Sequence, residues 1–135
     1  MKTLNSKMTI QNNIDNIKEV MSWIKAELKP LFEISEKYDS LQLCLQEALT
    51  NAIVHGNQLD EKKSVKISYT INHELKVTIE DEGTGVLPKN QNKNIRTIQN
   101  QDLLNESGRG IMLMKHFCDD VTFKNNCVTL VIQYK

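Results

Sequence analysis

Two pairs of short runs constrain the fold most. Val65-Lys66-Ile67-Ser68-Tyr69-Thr70-Ile71 and Leu75-Lys76-Val77-Thr78-Ile79-Glu80 each alternate apolar and polar residues. That period of two belongs to strands with one buried face. Only Asn72-His73-Glu74 separates them, too short for a crossover, so the two runs predict an antiparallel hairpin. Near the C-terminus Val121-Thr122-Phe123 and Val128-Thr129-Leu130-Val131-Ile132 repeat the arrangement around a turn at Asn125-Asn126. Strands that arrive as hairpins disfavour a parallel doubly wound sheet. They predict a mostly antiparallel sheet whose apolar face needs a cover.

Helices supply it. Ile14, Ile17, Val20, Met21, Ile24 and Leu28 fall at helical spacing until Pro30 stops the pattern. A second helix is expected from about Asp39 or Ser40, either a capable N-cap, to about His55, with Gly56-Asn57 as C-terminal punctuation. Leu41, Cys44, Leu45, Ala48, Leu49, Ala52 and Ile53 make its apolar face. A third helix, Ile111 to Phe117, is opened by Gly108-Arg109-Gly110, and Met8 to Ile10 reads as a short strand. Between about residues 86 and 107 the chain turns polar, with Pro88, Asn90, Gln91, Asn92 and Asn94 among few core candidates. A loop of that length in a compact domain is functional or disordered. The expectation is an α+β fold: a single domain over residues 1–135, built as a two-layer α/β sandwich with helices on one face of the sheet.

Bulk properties narrow the function. Lysine plus arginine number 17 and aspartate plus glutamate 17, so no basic excess marks a nucleic-acid binder. The N-terminus lacks the apolar stretch of a signal peptide, and no apolar run approaches the roughly 20 residues that span a bilayer. Cys44, Cys118 and Cys127 are odd in number without a Cys-x-x-Cys spacing, and His55, His73 and His116 are scattered. Reduced thiols in a cytoplasm, without zinc, are the plain expectation.

Three segments can carry chemistry. Glu47, Asn51 and His55 lie four apart and share a helical stripe. A carboxamide oxygen beside a carboxylate suits a hard cation such as Mg²⁺, although an ordinary polar helix face explains the same spacing. Glu80-Asp81-Glu82-Gly83-Thr84-Gly85 follows a strand directly. Its two glycines permit close backbone approach to a ligand, and Asp81 can accept a hydrogen bond from an exocyclic amine such as that of adenine; a simple turn is the alternative. Ser107-Gly108-Arg109-Gly110-Ile111 runs from a glycine-containing loop into a helix, where backbone N–H groups and Arg109 suit an anion. Its spacing is neither a P-loop nor a dinucleotide turn.

In this order, and at these places, the three segments resemble the N-box, G1 box and G2 box of the GHKL ATPase/kinase superfamily. The likeness is greatest to the small anti-sigma serine kinases. Glu47-Ala48-Leu49-Thr50-Asn51-Ala52-Ile53-Val54-His55-Gly56 looks like their N-box, and Asp81-Glu82-Gly83-Thr84-Gly85 like their G1 box. Glu106-Ser107-Gly108-Arg109-Gly110-Ile111-Met112-Leu113-Met114, followed by Asp119-Asp120-Val121, is similar to their closing segment. The resemblance runs from about residue 10 to the end and implies the Bergerat ATP-binding fold. It further implies that ATP and Mg²⁺ are the cofactors, that Asn51 binds Mg²⁺ and that Asp81 reads the adenine amine. Gly83 and Gly85 would let the backbone close on the nucleotide; Gly108, Arg109 and Gly110 would hold phosphates. Residues 86–107 would form the ATP lid, and Glu47 would be the general base toward a serine hydroxyl.

The implied substrate is a serine on a STAS-domain anti-anti-sigma protein, with a sigma factor as an alternate partner, no nucleic acid or membrane, and a homodimer as the assembly. His55 is expected to stabilise the helix end. Where the family often has Thr before the last strand, the corresponding stretch is Asn125-Asn126-Cys127-Val128-Thr129, in which either Cys127 takes that place with the loss of one hydroxyl contact or Thr129 substitutes in shifted register. Sensor histidine kinase, GyrB-like and chaperone-like readings need segments that the sequence does not show. A nucleotide-gated binding module without phosphotransfer is the rival from another class; Glu47 argues against it.

Overall fold

The computed structural model describes residues 4–33, 35–83 and 106–134. Five strands form one sheet in the order β1-β2-β3-β5-β4, every neighbouring pair antiparallel. They are β1 (Leu4–Gln11), β2 (Ser64–Ile71), β3 (Leu75–Glu80), β4 (Asp120–Lys124) and β5 (Cys127–Ile132). Both expected hairpins are present, β2–β3 closing at Ile71↔Leu75 and β4–β5 at Lys124↔Cys127. At the second turn Asn125 takes a φ of 55°, a left-handed conformation that asparagine tolerates best among residues with a side chain. The first strand is longer than the Met8–Ile10 expected, because Leu4 to Gln11 pairs throughout with β2.

Three helices occur among the described residues: α1 (Ile17–Leu28), α2 (Ser35–Thr50) and α3 (Glu106–Phe117). Helix α1 is preceded by a 3₁₀ turn, Ile14–Asn16, in which Asn13 caps by accepting from the Asp15 N–H at 2.8 Å. Pro30 ends its pattern inside a second 3₁₀ turn, Lys29–Leu31. Helix α2 starts a turn earlier than Asp39 or Ser40. The Ser40 hydroxyl donates back to the Glu36 carbonyl at 3.0 Å, the bond of a serine inside a helix and not at its cap. Helix α3 also starts earlier than Ile111, so Gly108-Arg109-Gly110 belong to its opening turns and not to a loop.

The α2 backbone continues as a π-helical segment, Asn51–Gly56. Its wider i→i+5 pattern is closed by the Asn57 N–H donating to the Ala52 carbonyl at 2.8 Å, and the Leu59 N–H reaches the Ile53 carbonyl at 2.9 Å. Gln58 and Leu59 follow at φ 52° and 61°.

The core lies between sheet and helices. Val20, Ile24 and Leu28 of α1, Leu41, Leu45 and Leu49 of α2, and Met114 of α3 have no accessible surface. They meet Val65, Ile67, Val77, Ile79 and Leu130 from the inner face of the sheet. The alternate strand positions Lys66, Lys76 and Glu80 are exposed. The α+β sandwich with helices on one face therefore stands as expected. No described helix is long and apolar enough to cross a membrane. The polar stretch expected as the lid lies outside the described residues except for Glu106 and Ser107, which open α3.

Candidate functional site

The site is built around the π-helical segment. At its N-terminal end Glu47 and Asn51, one turn apart, converge on Gly110 of α3. A Cβ on residue 110 would lie 2.8 Å from Glu47 Oε2 and 3.5 Å from Asn51 Nδ2. Glycine is what lets α3 approach so closely. Glu47 and Asn51 are half-buried, and neither side chain hydrogen-bonds another described residue. A carboxylate and a carboxamide side by side, partly desolvated and without a hydrogen bond from the described residues, fit a cation that keeps some of its water.

His55 does not join them. The i→i+5 spacing takes more residues per turn than the α-helix, so the four-residue stripe breaks after Asn51 and His55 is exposed. It stays in the last turn, where a basic side chain suits the helix dipole.

At the other end of the segment Gly56 lies beneath Asp81. A Cβ on residue 56 would fall within the Asp81 carboxylate, 3.0 Å from Oδ1 and closer to Oδ2. The carboxylate caps its own turn, Oδ1 accepting from the Gly83 N–H at 2.7 Å, while Oδ2 accepts from no described residue. Burial pushes the Asp81 carboxyl up from its ordinary range, only partly opposed by the Gly83 N–H and by Lys63. A half-buried carboxylate with one oxygen that accepts from no described residue is an acceptor suited to an amine donor. Asp81 and Gly83 thus come together with Gly56. Gly85 lies outside the described residues, as do the side-chain contacts of Arg109; Gly108 and Gly110 are carried by α3.

The strand register settles the neighbours of Asp81. Cys127 pairs with Glu80, one residue away, and burial pushes its thiol up. Thr129 sits two residues further along β5, its hydroxyl 3.4 Å from that of Thr78, so it does not take the Cys127 place. The direct partner is Asn126: its carbonyl accepts from the Asp81 N–H at 2.9 Å and its side-chain amide donates to the Asp81 carbonyl. Asn57 is a second residue missed by sequence reasoning, its Oδ1 accepting from the Glu82 N–H at 2.7 Å. Both are asparagines at turns, which the sequence reads as punctuation. Their only distinguishing mark there is proximity to Gly56 and to the last strand. Among the described residues no cluster of three or more His, Cys, Asp or Glu could hold a metal ion.

The sheet order, the helices on its inner face and a glycine-lined site over α2 define a GHKL-type ATPase domain. The chain belongs to the histidine kinase-like ATPase domain family, whose model matches residues 10–133. It is 32% identical over 113 residues to a protein named anti-sigma F factor from Clostridium perfringens, covering 82% of this chain and 78% of the relative. Proteins of the same name from Bacillus licheniformis and Bacillus subtilis are each 30% identical over 102 residues, covering 75% of this chain and 67% of theirs. Membership in an ATPase domain family implies that the chain binds ATP.

Proposed function

We propose that this protein is an ATP-dependent protein serine kinase of the anti-sigma type, which transfers the ATP γ-phosphate to a serine of a STAS-domain anti-anti-sigma partner. The observation that carries this reading is the convergence of Glu47 and Asn51 on Gly110, with Asp81 at the far end of the same helical segment. Asn51 would hold Mg²⁺ through its carboxamide oxygen, and Asp81 would accept the adenine amine on Oδ2, which accepts from no described residue. Gly83 and Gly85 shape the nucleotide turn; Gly108, Arg109 and Gly110 at the start of α3 would face the phosphates. ATP with Mg²⁺, held by these residues, would supply the phosphoryl group and the neutralisation of its charge, with ADP as the leaving group. Glu47 takes the proton of the incoming serine hydroxyl, a role open to a carboxylate held one turn from the metal ligand. The stretch from about residue 86 to the start of α3 would act as the lid of the single domain.

Phosphorylation adds charge to the STAS protein and frees the kinase to hold a sigma factor. The names of the relatives support the anti-sigma role. A homodimer is in keeping with β1, which pairs only with β2 among the described residues and carries an exposed Leu4. The absence of a membrane-crossing helix among the described residues fits work in the cytoplasm.

The test is transfer of label from Mg²⁺-ATP to STAS-domain proteins of the source organism, wild type against Glu47→Gln. Label on a serine, reduced by about 10² or more in the variant while ATP binding persists, is the expected outcome. Confirmed ATP binding with no label on any candidate would replace the kinase with a nucleotide-gated binding module.

A further inference from the structure

Two asparagine side chains are more deeply buried than any other polar groups described: Asn12 is 1% exposed and Asn57 0%. Buried carboxamides persist where their bonds are complete, and these are. Asn57 Nδ2 donates to Asn12 Oδ1 at 3.1 Å and to the Ser64 carbonyl at 2.9 Å, while its Oδ1 takes the Glu82 N–H at 2.7 Å. Asn12 Nδ2 donates to the Asp60 carbonyl at 3.0 Å and to the Ile53 carbonyl at 3.4 Å, and its backbone N–H to Lys63 at 3.0 Å. One pair of amides thus ties together the end of β1, the π-helical segment, the connection to β2 and the residue after Asp81. On the other side, Asn126 holds both backbone groups of Asp81. The Glu82 carboxylate closes the clamp on the N–H and hydroxyl of Ser64.

We infer that Asn57, supported by Asn12, and Asn126 are positioning residues that fix the Asp81 carboxylate for adenine and so set the preference for ATP over GTP. The inference rests on the reading of Asp81 as the adenine acceptor. A carboxylate accepts from the adenine amine and repels the guanine carbonyl oxygen at the same place, so discrimination depends on where it is held. Gly56 precedes Asn57 directly and lies against the carboxylate, so a shift of the Asn57 anchor moves the floor on which Asp81 rests. Asn126 fixes the other end of the same peptide.

The experiment measures ATP and GTP affinities of the full chain with Mg²⁺ by calorimetry, beside thermal unfolding without nucleotide. Asn57→Asp keeps the volume but turns a donor into an acceptor facing Asn12 Oδ1 and the Ser64 carbonyl. Asn126→Ala removes a side-chain donor at the half-buried β4–β5 turn while leaving the Asn126 carbonyl to the Asp81 N–H, and keeps the test decisive if Asn57→Asp fails to fold. Each variant is expected to lose about tenfold in ATP affinity, with GTP affected less and the ATP-over-GTP ratio shrinking. Asn126→Ala keeps its unfolding temperature near that of the wild type. A ratio within twofold of the wild type, whether affinities stay or fall together, overturns the inference. Asp81→Asn is measured alongside. If it collapses the ratio while the asparagine variants do not, the positioning role alone fails; if the wild type itself shows no ATP preference, the reading of Asp81 fails and the inference with it.

Discussion

Asp81 is held in a place that costs folding stability. Its carboxyl is raised by burial, so the folded protein binds its proton more tightly than the unfolded chain does. By linkage, the stability gained from protonated Asp81 is present at low pH and is lost as pH rises through the folded pKa, which lies above the usual carboxylate range. At neutral pH the ionised group is therefore a liability, as expected of a residue with the proposed adenine-binding role. Asp81→Asn keeps the shape and an oxygen for the Gly83 N–H. We expect the variant to unfold at the same or higher temperature than the wild type without nucleotide at pH 7. Its ATP affinity should fall by about 10-fold to 100-fold, the worth of a charge-assisted hydrogen bond. The gap between the two in unfolding temperature should narrow as pH is lowered, because the wild-type carboxyl then protonates too. Calorimetry and thermal unfolding across pH check both statements, and a variant less stable than the wild type at neutral pH would contradict the assignment of burial as the cause.

Helix α3 is positioned by what it lacks. Gly110 weakens the helix by roughly 0.5–1 kcal/mol relative to alanine, yet a Cβ there would stand 2.8 Å from Glu47 Oε2. Alanine at 110 gains helix propensity and forces the flexible end of Glu47 aside. Gly110→Ala is expected to change unfolding free energy by less than about 1 kcal/mol, since the two effects oppose. Under the proposed role of Glu47 as general base, phosphotransfer should drop by about tenfold or more, because such a base displaced by even one ångström loses its geometry. Denaturant unfolding and the labelled-transfer assay check the split, and equal loss of stability and activity would assign Gly110 to packing alone. The π-helical segment plays the matching part in α2. It carries Asn51 at one end, delivers Gly56 to Asp81 at the other, and turns His55 out to solvent.

Across the whole molecule, one core joins the helices to the sheet, and Leu45 lies in it without accessible surface. Leu45→Ala should cost about 2–5 kcal/mol, read as a lower urea midpoint at unchanged m-value; added Mg²⁺-ATP should recover part of the loss by binding only the folded chain. The strands, the helical apolar faces and the α+β class were readable because each depends on local periodicity: a side chain every second or every third to fourth position must leave water, whatever it packs against. The alternation Val65, Ile67, Tyr69, Ile71 fixed which face of β2 is buried, and all four are. Glu47, Asn51, Asp81 and the glycines were likewise visible as residue types in a family order. Contacts between distant segments decided the rest. The Asn126–Asp81 bond spans 45 residues and the Asn57–Glu82 bond 25, and no local pattern tells a buried, fully bonded asparagine from one in a solvated turn. The early starts of α2 and α3, the unwinding of α2 into a π-helix and the separation of His55 from Asn51 have the same origin. Helix ends and turns settle where long-range packing satisfies their backbone groups, and the chain's own sequence of propensities is too weak to fix them.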